Sequence, residues 1–382
     1  MTARGHDDIG ERLGISSLVN AHSRLSRLSG SIMAPDVLEA MAWASQHYFD
    51  MNELQAKVGA RLAELTRNEA VYITSGAAAG LVLAAGACIV GTDPAKIARL
   101  PHVGDELGNE IIVHRFQRNH YDNNIRTAGA RFVEIGSHRT THLWELEDAI
   151  GARTAAIVYF TGPYEGPNLL PLDKILMVAK RARVPVIVDA AAQIPPAENL
   201  WAFTRMGADL VVFSGGKALG GPQNTGLVVG RKELIDACVL LGSPSYAIGR
   251  PMKVGKEAMI GLLVAVESYL ERGEKEQREC CEAWTTQLLG ELTGVPGLQA
   301  RRLFPNAKVQ PLAEAVVEFD EGRLGVSRDE IVKQLARGIP RIEVAPYGRT
   351  GIRINPDTLK EGDVQLVTTR LKSVLAESHR SD

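Results

Sequence analysis

The chain has 382 residues, 45% hydrophobic and 23% charged, with a formal net charge of −2. Such a length buries a large core and suits two or three domains, while the near-neutral balance and the lack of a dense Lys/Arg tract argue against a nucleic acid, transfer RNA included, as ligand. Cys88, Cys238, Cys280 and Cys281 are too few and too irregularly spaced for a disulfide framework or a zinc site, "MTARGHDDIGERLG" lacks an apolar signal core, and no run reaches the roughly 18 apolar residues of a membrane span; the expectation is a cytoplasmic protein with reduced thiols and no membrane partner.

Taken in order, "APDVLEAMAWASQHYFDMNELQAKVGARLAELT" predicts two helices, the second with Leu54, Val58, Leu62 and Leu65 on one face. Next, "EAVYITSGAAAGLVLAAGACIV" changes from a β-rich run to an alanine-rich helix, with Thr74, Ser75 and Gly76 at the joint. Short apolar runs follow at "EIIVH", "RFVEI", "AAIVYF", "PVIVDA", "DLVVFS" and "GLVVG", several separated by helical stretches such as "PLDKILMVAKRAR". That alternation predicts an α/β domain, a mostly parallel sheet with helices on both faces.

From Lys256, "KEAMIGLLVAVESYLERGEKEQRECCEAWTTQLLGEL" reads as one long amphipathic helix, with Met259, Leu262, Leu263, Val266, Tyr269 and Leu270 at helical spacing. Beyond it, "AEAVVEFD", "SRDEIVKQLARG", "PRIEVA", "GIRINP" and "EGDVQLVTTRLKSVLAE" alternate strand and helix in a smaller α/β unit. The expected division is an N-terminal segment at 1–33, a large domain at 34–255, a connecting helix at 256–284 and a small domain at 285–382.

Three features of the large domain carry chemistry. The turn "TSGAAAG" sets small residues at a strand-to-helix joint, where backbone N–H groups can meet an anion, although such turns also serve close packing alone. Asp189 ends "VPVIVDA", and the carboxyl ends of strands in an open α/β sheet face the ligand crevice; the competing role for a lone Asp is a helix cap or a solvated loop acid. Lys217 ends the next strand within "FSGGKALGG". A nucleophilic lysine must be partly desolvated, and the flanking glycines suit close approach of a ligand to its backbone.

The phosphate-type turn, the strand-end Asp and "SGGK" one strand later, followed by "GGPQNTGLVVG", resemble in order and spacing the fold type I pyridoxal-phosphate enzymes. Within them, "VDAAAQIPP" and "FSGGKALGGPQNTGLVVGRKELI" are most similar to the branch containing selenocysteine synthase and D-glucosaminate-6-phosphate ammonia lyase. The resemblance implies a fold type I transferase fold, pyridoxal 5'-phosphate as cofactor and a homodimer or higher homo-oligomer. It gives Lys217 the Schiff base to the cofactor and the Cα proton, and Asp189 the ring nitrogen. Ser75, Gly76, Ala77 and Ser214 receive the phosphate. His120 is the implied ring-stacking residue, with Tyr121 and His114 as competitors, and Gln193 binds the phenolic oxygen unless Ala192 holds that place.

For a substrate carboxylate the candidates are Arg353 and Arg349 in "YGRTGIRINP", since a guanidinium makes two parallel bonds; exposed arginines on a strand edge are the alternative. Arg250, Lys253 and Lys256 form a second cationic group, suited to a distal substrate phosphate or to a partner subunit's cofactor. Arg24 and Arg27 in "LVNAHSRLSRLSGS" depart from the small and hydroxyl residues implied for the family's site entrance. The implied reaction is Cα deprotonation and β-elimination on a small hydroxy or sugar amino acid, giving a 2-keto acid and ammonia. A racemase or epimerase is the alternative, ahead of a selenocysteine synthase-type transferase or a regulatory module that binds the cofactor.

Overall fold

The computed structural model describes residues 7–104 and 106–378. Chain contacts divide it into a larger unit, Ser29–Glu274 with Lys308–Gln310, and a smaller one, the residues up to Leu28 with Lys275–Ala307 and Pro311 onward.

The smaller unit contains β1 (Leu18–Ala21). The larger unit holds β2 (Ala70–Thr74), β3 (Glu110–His114), β4 (Arg131–Ile135), β5 (Thr154–Phe160), β6 (Val186–Asp189), β7 (Leu210–Ser214) and β8 (Gly226–Gly230). These seven form one sheet in the order β2-β8-β7-β6-β5-β3-β4. All pairs are parallel except the two that β8 makes, both antiparallel.

Strand alternation sends side chains to two separate cores: Leu210 and Val212 join the cluster under the helix Ala77–Val90, while Val211 and Phe213 join the cluster under Met51–Thr66, Leu172–Ala182 and Lys256–Ser268. A sheet covered on both faces reads as continuous apolar runs, as "DLVVFS" does. Each fully buried side chain such as Phe213 or Ile112 contributes about 1.5–3 kcal/mol. The helix Ala77–Val90 is apolar all round and mostly buried, so it runs within the core and fixes its own N-terminus at Gly76, one turn beyond β2.

The smaller unit pairs β1 in parallel with β11 (Arg341–Tyr347), which continues antiparallel through β12 (Gly351–Ile354) and β10 (Glu314–Phe319) to β9 (Leu298–Leu303). The single long helix expected from Lys256 is instead two, Lys256–Ser268 and Glu274–Leu292, joined by a π-helical turn at Tyr269–Gly273. Gly273 permits it: a Cβ there would stand 2.7 Å from the Tyr269 ring. Among the described residues no helix is long and apolar enough to cross a membrane, and Cys88, Cys238, Cys280 and Cys281 are all free thiols.

Candidate active site

Because only β8 is reversed, β2, β7, β6, β5 and β3 all end on one edge, where open α/β sheets receive ligands. Register sets the neighbours there. Thr74, Gly226 and Ser214 lie side by side, and Asp189 pairs with Phe160 on one flank and Val212 on the other. Adjacent strands are about 4.8 Å apart, so the chains leaving β6 and β7 start as close neighbours.

Lys217 sits in the turn after β7. Gly215 N–H donates to the Thr225 carbonyl at 2.9 Å, Gly221 N–H to Gly215 at 2.9 Å, and Gly220 N–H to Lys217 at 3.0 Å, folding the turn back on itself. The glycines expected to admit a ligand have another duty. A Cβ on Gly215 would stand 2.2 Å from Thr225 Oγ1, and one on Gly216 2.4 Å from Gln223 Cα, so both are required by the chain's own closure.

Lys217 and Asp189 are each half-buried. Burial lowers the lysine's affinity for its proton, opposed by the charge of Asp189; burial likewise raises the Asp189 pKa, opposed by the Ala191 amide and by Lys217. Asp189 Oδ1 accepts from Ala191 N–H at 2.9 Å. Among the described residues no donor reaches Oδ2, and the two side chains, though each feels the other's charge, form no ion pair. A desolvated acid and amine held apart at neighbouring strand ends leave bonding capacity for a third body between them.

The turn expected to meet an anion follows β2, two strands from β7. Gly76 has φ +102° and caps the helix Ala77–Val90 without a side-chain cap. Gly80 N–H is bonded to Gly76 O at 3.1 Å, and the amides of Ala77, Ala78 and Ala79 precede this first helical bond. A Cβ on Gly226 would lie 2.7 Å from Ala77 N, so β8 reaches that turn only because residue 226 has no side chain. Ser75 Oγ donates to the Met252 carbonyl at 2.9 Å, which ties the segment bearing Arg250 and Lys253, both exposed, to that turn of the same chain. Lys256 is occupied elsewhere: its Nζ donates to Ser45 O at 3.0 Å and to His47 O, over the Tyr48 ring.

On the other flank, His114 is buried at the end of β3, edge-on to Tyr159 at 6.0 Å, with no hydrogen-bond partner on either ring nitrogen. Burial lowers its pKa, and Gln117 offsets this from nearby without reaching bonding geometry. His120 and Tyr121 stand on an exposed turn. Gln193 is buried, donating through Nε2 to Lys308 O at 3.3 Å; a Cβ at Gly162 would meet this amide at 2.0 Å. Thr161, absent from the sequence reading, donates through Oγ1 to Asp189 O at 2.8 Å. Its signal was there in its position directly after "AAIVYF", on the same edge.

The candidate arginines belong to the smaller unit, where distant segments converge on His22. Burial lowers the His22 pKa first, then the charges of Arg27 and Arg353. Arg353 Nη1 donates to the buried Glu314 at 2.9 Å, and Arg27 to Glu343 at 3.0 Å. Arg24 is held by Asp357. Arg349 is exposed in the turn between β11 and β12.

The chain is 32% identical over 378 residues to a 5'-C-glycyluridine monooxygenase-decarboxylase from Streptomyces sp, covering 96% of this chain and 92% of the relative. It is 31% identical over 378 residues to a D-glucosaminate-6-phosphate ammonia lyase from Salmonella typhimurium, covering 96% and 98%. A solved D-glucosaminate-6-phosphate ammonia-lyase superposes with a TM-score of 0.86 at 31% identity, over 99% of this chain and all of that one. The architecture is that of the fold type I transferases, as the order of motifs implied. Over residues 26–326 the chain matches the family described as SelA, L-seryl-tRNA selenium transferase, and it belongs to that family.

Proposed function

We propose that the protein is a pyridoxal 5'-phosphate-dependent lyase that releases ammonia from a small hydroxy or sugar amino acid. The observation that carries this reading is the pair Lys217 and Asp189, both half-buried where adjacent strands end, with no ion pair between them and Asp189 Oδ2 without a donor among the described residues. Likeness over the full chain to ammonia lyases supports the substrate class.

The residues fit the cofactor. Asp189 Oδ2 is open to a protonated ring nitrogen, and Gly76 with the amides of Ala77–Ala79 offers N–H groups and a helix N-terminus to a phosphate. Ser214 ends β7, with β8 between it and that turn, while Ser75 brings its hydroxyl only by leaving Met252. Gln193, four residues after Asp189 in the loop, is the proposed partner of the phenolic oxygen. When bound, the cofactor supplies an electron sink for the pair left at the substrate's Cα. Lys217 Nζ would hold the cofactor until the substrate's amine takes its place, and would then accept the Cα proton; burial favours the neutral amine that this needs. The same Nζ would return that proton to the departing β-hydroxyl, which leaves as water, and would take the cofactor back as the product's nitrogen is displaced. Hydrolysis of the freed nitrogen compound in water would give the 2-keto acid and ammonia.

Arg353, set in place by Glu314, is the proposed carboxylate ligand, with Arg349 and Arg27 as its companions. Arg250 and Lys253 are the proposed receivers of a distal phosphate. His120 is the proposed ring partner. Homodimer assembly in the cytoplasm belongs to the same reading, as does the large-domain and small-domain division; exposed Trp43, Tyr48 and Tyr246 support self-association.

The test is the visible absorbance of the purified protein with pyridoxal phosphate, repeated on Lys217→Ala, with ammonia measured on D-glucosaminate-6-phosphate. A band that the variant lacks, with ammonia release lowered at least about 10³-fold, or roughly 4 kcal/mol of barrier, supports the reading. Absence of the band from wild type sinks it. Solvent-deuterium uptake at Cα without ammonia points to racemisation, and oxygen uptake with carbon dioxide release to the monooxygenase-decarboxylase named among the relatives.

A further inference from the structure

The chain passes between its two units at Leu28–Ser29, at Glu274–Lys275 and around Lys308–Gln310. Each of these segments is bonded, inside the larger unit, to one of the two loops that bear the chemistry. Ser31 Oγ donates to the Lys217 carbonyl at 2.5 Å. Glu274 Oε2 accepts the Ala197 N–H at 2.7 Å. Gln310 Nε2 donates to the carbonyls of Ala192, at 2.8 Å, and Ile194, and Lys308 O accepts from Gln193. The loop after Asp189 is thus held from two distant parts of the chain and the Lys217 turn from a third.

The backbone is irregular at these same places. The described non-glycine residues with positive φ are Ser29, Arg67, Arg183 and Val309. Arg67 and Arg183 end helices, where a left-handed residue is ordinary. Ser29, at +68°, closes the 3-10 helix Ser26–Leu28, whereas Val309, at +62°, ends no helix, and for a β-branched residue this conformation is costly. The remaining passage carries the π-helical turn Tyr269–Gly273 directly before Glu274, a geometry that recurs at functional sites. Gly30, at +71°, leaves no room for a side chain, since a Cβ would stand 2.8 Å from Gly216 O. Costly conformations persist where surroundings over-determine them.

We propose that Ser31, Glu274 and Gln310 are positioning residues. They fasten the Lys217 turn and the 190–197 loop to the segments leading to the smaller unit, so that the spacing of amine and carboxylate is set by these connections as well as by the sheet. The inference rests on Lys217 and Asp189 being the chemical pair.

Backbone amide hydrogen exchange of the full chain tests the fastening without cofactor. Ser31→Ala is expected to speed exchange in 215–221 at least about tenfold while leaving 190–197 unchanged, and Gln310→Ala to do the converse, with β8 protected in both. Gln310→Glu, which keeps the size and loses the donor, is expected to match Gln310→Ala and serves if the alanine variant does not fold. No change, or an even speed-up along the chain, overturns the proposal.

With pyridoxal phosphate added, the pH midpoint of the visible band is expected to move by at least about half a unit in either variant at unchanged melting temperature. A lowered melting temperature with an unmoved midpoint means a structural role only. A wild type without the band overturns the functional reading, whereas the exchange result decides the fastening by itself.

Discussion

Asp189 and Asp209 stand at opposite ends of the same two strands, Asp189 closing β6 and Asp209 preceding β7. Both are half-buried, and burial raises the pKa of each. Asp209 is fully used: Oδ2 accepts the Val186 amide and Oδ1 the Arg231 guanidinium, both at 2.8 Å. Asp189 has one amide and an amine it does not touch. Two grooves, of about 860 and 420 Å³, open at the Asp209 end and are lined in part by Asp209, Gly207 and Arg231. Burial alone therefore does not separate the two acids; unfilled bonding capacity in a desolvated place does.

The sharpest way to break this contrast is to neutralise each acid. Asp189→Asn is expected to lower kcat by about 10²- to 10³-fold, the scale for losing a preorganised electrostatic partner, whereas Asp209→Asn stays within about twofold of wild type. Comparable losses from both would erase the distinction. Stability is expected to run the other way. In urea unfolding of cofactor-free protein, Asp209→Ala costs about 1–3 kcal/mol because the Val186 amide loses its acceptor, while Asp189→Ala costs less, since the loss of the acceptor for Ala191 is offset by removal of a desolvated carboxyl with one oxygen unpartnered.

Titration sharpens the contrast further. Each acid has a raised pKa in the folded chain, so its contribution to stability is complete below the ordinary carboxylate value of 3.8 and lost as pH rises through the raised value. Lys217, lowered by burial, contributes in the opposite sense: its share is present above 10.5 and lost as pH falls through the lowered value. Pyridoxal phosphate is expected to cancel the loss belonging to Asp189 and to leave that of Asp209, read from unfolding at several pH values with and without the cofactor. The smallest effect is expected from Arg231→Ala. That side chain is 43% exposed, so its pair contributes within about 1 kcal/mol, seen as a small shift in the urea midpoint.

The apolar runs "EIIVH" and "GLVVG" coincide with β3 and β8, because strands covered on both faces announce themselves by composition alone, and "RFVEI" coincides with β4, a partly exposed edge strand. β9 has no such signature: "LQARRL" is a partly exposed edge strand with two arginines. Lys217, Asp189 and Gly76 were legible because each sits where a strand run stops. Ser31 and Gln310 were not, since each acts through a bond to a loop remote in sequence. Nor could the run from Lys256 reveal its π-helical turn, whose cause is one glycine beside a tyrosine ring. The pairing of Arg353 with Glu314 was equally hidden, as it depends on register between β12 and β10.

The reversal of β8 has a consequence for how the site is assembled. β7 and β8 form a hairpin, closed by Ser214 opposite Gly226, and Lys217 lies inside its connection. Closing so short a loop costs little chain entropy, and contacts of low sequence separation form fast. Asp189 reaches the same edge only through a parallel crossover, which forms later and from farther away. The backbone under Lys217 is therefore expected to form early, from residues near it in sequence, and Asp189 is brought to it afterwards by the rest of the fold.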